Sequence, residues 1–239
     1  MVSPPQDVGR GRVDGPPGGI GAAIFAFLSG VVLATIAGSI VIALGGGTTS
    51  AAANAATFIG EWIGFVGVPV WLSHQRGTGR LSRDFGLRLG GPGDIGLGLA
   101  GGFGAFAAVA VYSAILSQFD HANLGHEAQQ LSGHGLGVGF VVFALCAGIG
   151  APIAEELFFR GLVQPALQRR IGGIAGLAVT AVVFGLVHLG ANPIEAIPPL
   201  IFFGFIVGTM AWRTGRLGPG IVAHITFNGI TVVVLALSR

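Results

Sequence analysis

The strongest constraint on this chain is a row of seven apolar stretches, at residues 20–44, 55–72, 95–116, 136–160, 174–189, 197–212 and 217–237. A helix needs about 20 apolar residues to cross the hydrocarbon core of a bilayer, and several of these runs approach or exceed that length. In hydrocarbon each backbone N–H and C=O has to be satisfied within its own segment, which makes such runs helices. A mean hydropathy of +0.80 with only 9% charged residues excludes an ordinary soluble domain. The expected fold is all-α, a polytopic membrane helix bundle of about seven transmembrane helices. Residues 1–19, rich in Gly, Pro and polar groups, read as a disordered tail, and 20–239 as a single transmembrane domain.

Arginine placement sets the expected orientation, because loops on the cytoplasmic side carry the excess of basic residues. Arg76, Arg80, Arg83 and Arg88 lie in the loop 73–94; Arg169 and Arg170 follow the fourth stretch, and Arg213 and Arg216 the sixth. The loop 117–135 has no arginine. Seven spans starting inside put all of these arginine loops in the cytoplasm, with Trp71 and Trp212 at that interface. The expected location is the plasma membrane of a bacterium, and the bilayer is the first expected partner. The first stretch exceeds the 7–15 residues of a secretory apolar core and reads as a retained span. A net charge of +2, dispersed along the chain, gives no basis for a nucleic-acid partner. Cys146 is the single cysteine, so no intramolecular disulfide can form; it reads as a packing residue. Gly98-x-x-x-Gly102 and Gly204-x-x-x-Gly208 have the spacing that lets helix backbones approach closely in lipid.

Against that apolar background a few polar residues stand out. Glu155, Glu156 and Arg160 lie in the fourth stretch, Phe184-x-x-x-His188 in the fifth, and His224-x-x-x-Asn228 in the last. Ionisable groups at membrane depth cost several kcal/mol unless they pair or do chemistry. On a helix Glu156 and Arg160 are i and i+4, the better order for an ion pair. Glu155 points about 100° away and is left without that partner, as a general base would be. These three ordered blocks, Glu-Glu-x-x-x-Arg, Phe-x-x-x-His and His-x-x-x-Asn, resemble the CAAX-protease and bacteriocin-processing (CPBP) family of intramembrane proteases over residues 138–235.

The resemblance implies an intramembrane endopeptidase acting on membrane-associated proteins or peptides. It makes Glu155 the catalytic glutamate and Glu156–Arg160 its supporting pair, with His188, His224 and Asn228 completing the site. By residue type, Glu155 with His188 can position and deprotonate a water, while His224 and Asn228 can stabilise a tetrahedral intermediate or bind a metal. Glu155, His188 and His224 could hold zinc. The His-Glu-x-x-His signature is absent, and a metal-free, glutamate-driven hydrolysis stands beside the zinc route. A second reading keeps the scaffold without catalysis, as a binding or bacteriocin-immunity protein.

Counting residues places the site. A turn near 170–173 puts Glu155 and His188 at one height on an antiparallel helix pair, roughly 25 Å from the turn at 1.5 Å per residue. The end of the fourth helix then projects from the membrane, and the broken backbone around Asn192, Pro193, Pro198 and Pro199 falls at membrane depth. Glu61 in the second stretch reads as a supporting carboxylate. His121, His126 and His134, with Asp120 and Glu127, read as a solvated loop. The segment Asp84-Phe-Gly-Leu-Arg88 reads as an amphipathic interfacial stretch.

Overall fold

A computed structural model describes residues 16–47, 50–119, 136–189 and 192–237. Among these residues helices account for the regular structure, with one isolated bridge between Leu189 and Asn192. The long helices are α1 (Ile20–Ala43), α2 (Ala51–Arg76), α4 (Pro92–Leu116), α5 (Val138–Ile171), α7 (Ile197–Thr214) and α8 (Gly218–Leu237). Two shorter ones complete the set, α3 (Leu81–Asp84) and α6 (Gly173–Leu186). Six helices are long and apolar enough to cross a membrane, and the chain is a polytopic helical bundle.

Two expected boundaries move. The fourth stretch does not end at Arg160 but continues to Ile171 as a 34-residue helix, since nothing before Gly172 breaks it. At 1.5 Å per residue it is about 50 Å long, more than the hydrocarbon core requires. Gly172, at φ 90, makes the left-handed turn into α6. That helix has only 14 residues, too few to cross alone, and a 3-10 turn at Ile194–Ala196 precedes the next long helix. The expected tail falls largely outside the described residues, as do Asp120, His121, His126, Glu127 and His134.

Within α5 the helix widens twice into π geometry, at Cys146–Gly150 and at Glu156–Val163. Each widened segment ends two residues before a proline, Pro152 and Pro165. A proline lacks the N–H that would bond four residues back, and its ring clashes with that carbonyl, so a wider turn accommodates it without breaking the helix.

Glycine sets the close contacts elsewhere. A Cβ on Gly64 of α2 would collide with the backbone of Gly30 and Ala26 on α1, and one on Gly60 would lie 2.5 Å from the Leu33 carbonyl. Gly98 and Gly102 do the same for α4 against α8, where a Cβ would lie 2.5 Å from Val222 Cβ and 2.6 Å from the Ala223 carbonyl. The expected small-residue packing is thus present. Side chains of Phe65, Phe158, Phe159, Phe184 and Phe203 fill the centre, each at most 2% exposed.

One end of the bundle gathers the arginines. After α2 the chain turns back as a strap, residues 77–91, over the ends of α5 and α8. Asp84 anchors it by accepting hydrogen bonds from the Ser73 hydroxyl and from the backbone and hydroxyl of Thr78. Leu217 N–H donates to the Gly86 carbonyl at 2.8 Å, and Arg216 forms a two-bond pair with Asp94 at 2.7 Å. Arg169 reaches the Gly18 carbonyl at 2.6 Å, so the start of α1, the strap, the α5–α6 turn and the α7–α8 turn share this end.

Candidate active site

The α5–α6 hairpin sets the register from which the site is built. Phe159 lies 13 residues before Gly172 and Phe184 lies 12 after it, and their rings meet edge to face at 5.2 Å. Four residues further from the turn along each segment stand Glu155 on α5 and His188 just past the end of α6. α8 runs antiparallel beside α5, bringing His224 to Glu156 and Asn228 to Ala147.

Glu156 and Arg160 form the expected pair, with Arg160 Nη1 3.2 Å from Glu156 Oε1 and both side chains fully buried. Two charges removed from water need several partners each to be tolerable. Arg160 finds two more: its Nη2 donates to the Gly204 carbonyl at 3.3 Å, and its guanidinium sits 4.3 Å over the Phe184 ring. One turn on, Gln164 donates to the Gly208 carbonyl at 3.0 Å. The Gly204-x-x-x-Gly208 repeat therefore does more than let α5 and α7 approach, because its carbonyls receive the polar side chains of α5.

Glu156 Oε1 also accepts from His224 Nδ1 at 3.0 Å. A carboxylate only accepts, so Nδ1 carries the hydrogen, and in a neutral imidazole the other nitrogen, Nε2, then presents its lone pair. That Nε2 lies 4.0 Å from Glu155 Oε2. Glu155 Oε2 is buried and has no hydrogen-bond partner, while the Glu155 side chain as a whole keeps 15% exposure. Each glutamate keeps its Oε2 buried and without a hydrogen bond; they differ in that Glu156 is tied through Oε1 to Arg160 and His224, while Glu155 Oε2 faces His224 Nε2.

His188 is placed differently from the expectation that it meets Glu155. Its Nδ1 donates to the Phe184 carbonyl at 2.7 Å and its ring lies 5.1 Å from the Phe184 ring, with no hydrogen bond or ion pair to Glu155 among the described residues. His224 lies 5.9 Å from the same Phe184 ring and 4.9 Å from Phe203. Phe184 is therefore the hub on which Arg160, His188 and His224 all rest. Asn228 donates one amide hydrogen to the Ala147 carbonyl at 2.8 Å, inside the first π segment. Glu61 is half-buried on α2 beside Trp62, whose ring lies against Gly150.

A zinc site needs three protein donors converging on one point. Glu155 Oε2 and His224 Nε2 could share a cation, but His188 does not join them, and among the described residues no three His, Cys, Asp or Glu side chains converge at metal-binding spacing. As arranged, the expected set of Glu155, His188 and His224 does not fit a metal.

Residues 137–230 match the model of the Rce1-like family, type II CAAX prenyl endopeptidase Rce1-like. The resemblance to CPBP proteases is shown over that segment. The match contains Glu155, Glu156, Arg160, His188, His224 and Asn228, and it supports a protease of the CAAX-endopeptidase type. No curated protein matches the chain, and no solved structure does.

Proposed function

We propose that this protein is an intramembrane endopeptidase of the bacterial plasma membrane, hydrolysing peptide bonds of membrane-anchored proteins or peptides near the cytoplasmic face. The observation that carries the reading is the unpartnered Glu155 Oε2 facing His224 Nε2 at 4.0 Å. A water with hydrogen bonds of about 2.8 Å to both atoms would span an angle of roughly 90°, close to what one water can donate. Glu155 takes a proton from that water as its oxygen attacks the scissile carbonyl carbon. It then returns the proton to the amide nitrogen as the C–N bond breaks.

The other residues follow from their surroundings. Glu156, neutralised by Arg160, holds His224 in the tautomer that accepts from the water. Asn228 keeps one amide hydrogen beyond the one given to Ala147, and we assign it to the developing oxyanion. His188, with Nδ1 committed to Phe184, presents Nε2 as a second proton carrier. The reading routes no step through a metal. In proteoliposomes with a membrane-anchored peptide, Glu155→Gln should abolish cleavage while remaining folded and monodisperse, and wild-type cleavage should survive a strong chelator. Normal turnover by Glu155→Gln would remove the general base from the mechanism. One tightly bound zinc required for activity would overturn the metal-free route.

A further inference from the structure

At the arginine end a cleft of about 750 Å³ opens between the strap, the end of α5 and the α7–α8 turn. Four arginines line it, Arg83, Arg88, Arg160 and Arg216. Two are already neutralised, Arg216 by Asp94 and Arg160 by Glu156. One carboxylate lines the cleft, Asp84; its hydrogen bonds come from the neutral groups of Ser73 and Thr78, so its charge remains and offsets one of the other two arginines. Arg83 and Arg88 are exposed, and among the described residues their side chains make no hydrogen bond or ion pair. The cleft therefore keeps a net positive charge, with Arg83 and Arg88 at its exposed surface.

Its surroundings say what kind of anion fits. Leu89, next to Arg88, is 52% exposed, and Trp212, next to Ala211 of the cleft wall, is 46% exposed. Exposed apolar side chains and arginines at one end of the bundle suit the level of lipid headgroups. Guanidinium forks match phosphate oxygens in pairs. We propose that this cleft holds the phosphate of an anionic phospholipid, gripped by Arg83 and Arg88, with the acyl chains lying in the bilayer along Leu89 and Trp212. The inference rests on the membrane setting and goes beyond the proteolytic reading, which it does not require.

The test uses the full chain in neutral detergent, titrated with phosphatidylglycerol, with phosphatidylcholine and with inorganic phosphate. Thermal unfolding and native mass spectrometry report binding. Phosphatidylglycerol should give a saturable rise in Tm and one retained lipid per chain, and the other two should give neither. Arg83→Gln and Arg88→Gln should each weaken apparent affinity roughly five-fold, the factor for about 1 kcal/mol per cation at an anionic surface. Both positions are exposed, so the variants should keep the wild-type Tm without lipid. Equal effects of the two lipids, unchanged affinity in both variants, or the same Tm rise with inorganic phosphate at equal concentration would each overturn the proposal.

Discussion

Glu155 and Glu156 are neighbours of identical chemistry whose roles are separated by what surrounds them. Glu156 is held by Arg160 and His224 and has Gly220 of α8 against its second oxygen, where a Cβ would lie only 3.1 Å away. Breaking a buried pair strands the remaining charge, at a cost of about 3–5 kcal/mol. Glu156→Gln and Arg160→Ala should therefore lower thermal stability as well as activity, whereas Glu155→Gln should leave the unfolding curve unchanged. Differential scanning fluorimetry on the three purified variants checks this; a loss of stability in Glu155→Gln equal to that in Glu156→Gln would contradict it. The Glu156–Arg160 pair was legible in the sequence because i, i+4 spacing survives even in a widened helix. The Glu156–His224 bond was not legible, since it joins residues 68 apart through the approach of α8 to α5.

At the level of elements, the strap is the part of the structure with a clear pH signature. Burial pushes the Asp84 carboxyl up, but hydrogen bonds from Ser73 and Thr78 outweigh this and hold it below the ordinary aspartate range. A folded-state pKa below the unfolded one means the anchor contributes stability above the ordinary aspartate value, near 4, and loses it as pH falls through the lower folded one. Asp84→Asn should lower Tm at pH 7, and the gap to wild type should narrow as pH drops below about 4. A gap independent of pH between 7 and 3 would show that the carboxylate charge is not what holds the strap. The sequence suggested an amphipathic interfacial stretch at Asp84-Phe-Gly-Leu-Arg88. It could not give the anchor, because Ser73 lies on α2 and points to Asp84 only once the chain has turned back at Gly77 and Gly79. The two π segments were equally hidden: a proline announces a disturbed helix, yet whether the helix breaks or widens depends on packing around it.

For the whole molecule, the arginine distribution and the structure agree on one end for every basic turn. Hydropathy was enough to find the helices, and the count from Arg170 to Gly173 was enough to pair α5 with α6. It overstated α6, because Val187 and Leu189 extend the apolar pattern while the helix already ends at Leu186. Sidedness is open to direct labelling. In a Cys146→Ala background, a cysteine replacing Arg170 should react with an impermeant maleimide only from the cytoplasm, and one replacing Ser117 only from outside. Labelling of both from the same side would contradict the orientation and the placement of the site near the inner face.

The central claim, that Glu155 activates a water rather than attacking the peptide itself, is tested most directly by isotope transfer. Single-turnover cleavage of a membrane-anchored peptide would be run in water enriched in oxygen-18, with both product and protein analysed by mass spectrometry. A general base delivers the solvent oxygen to the substrate, so the new C-terminal carboxyl should carry one oxygen-18 and Glu155 none. Label found in Glu155, with an unlabelled product carboxyl, would contradict the account by showing a covalent glutamyl intermediate.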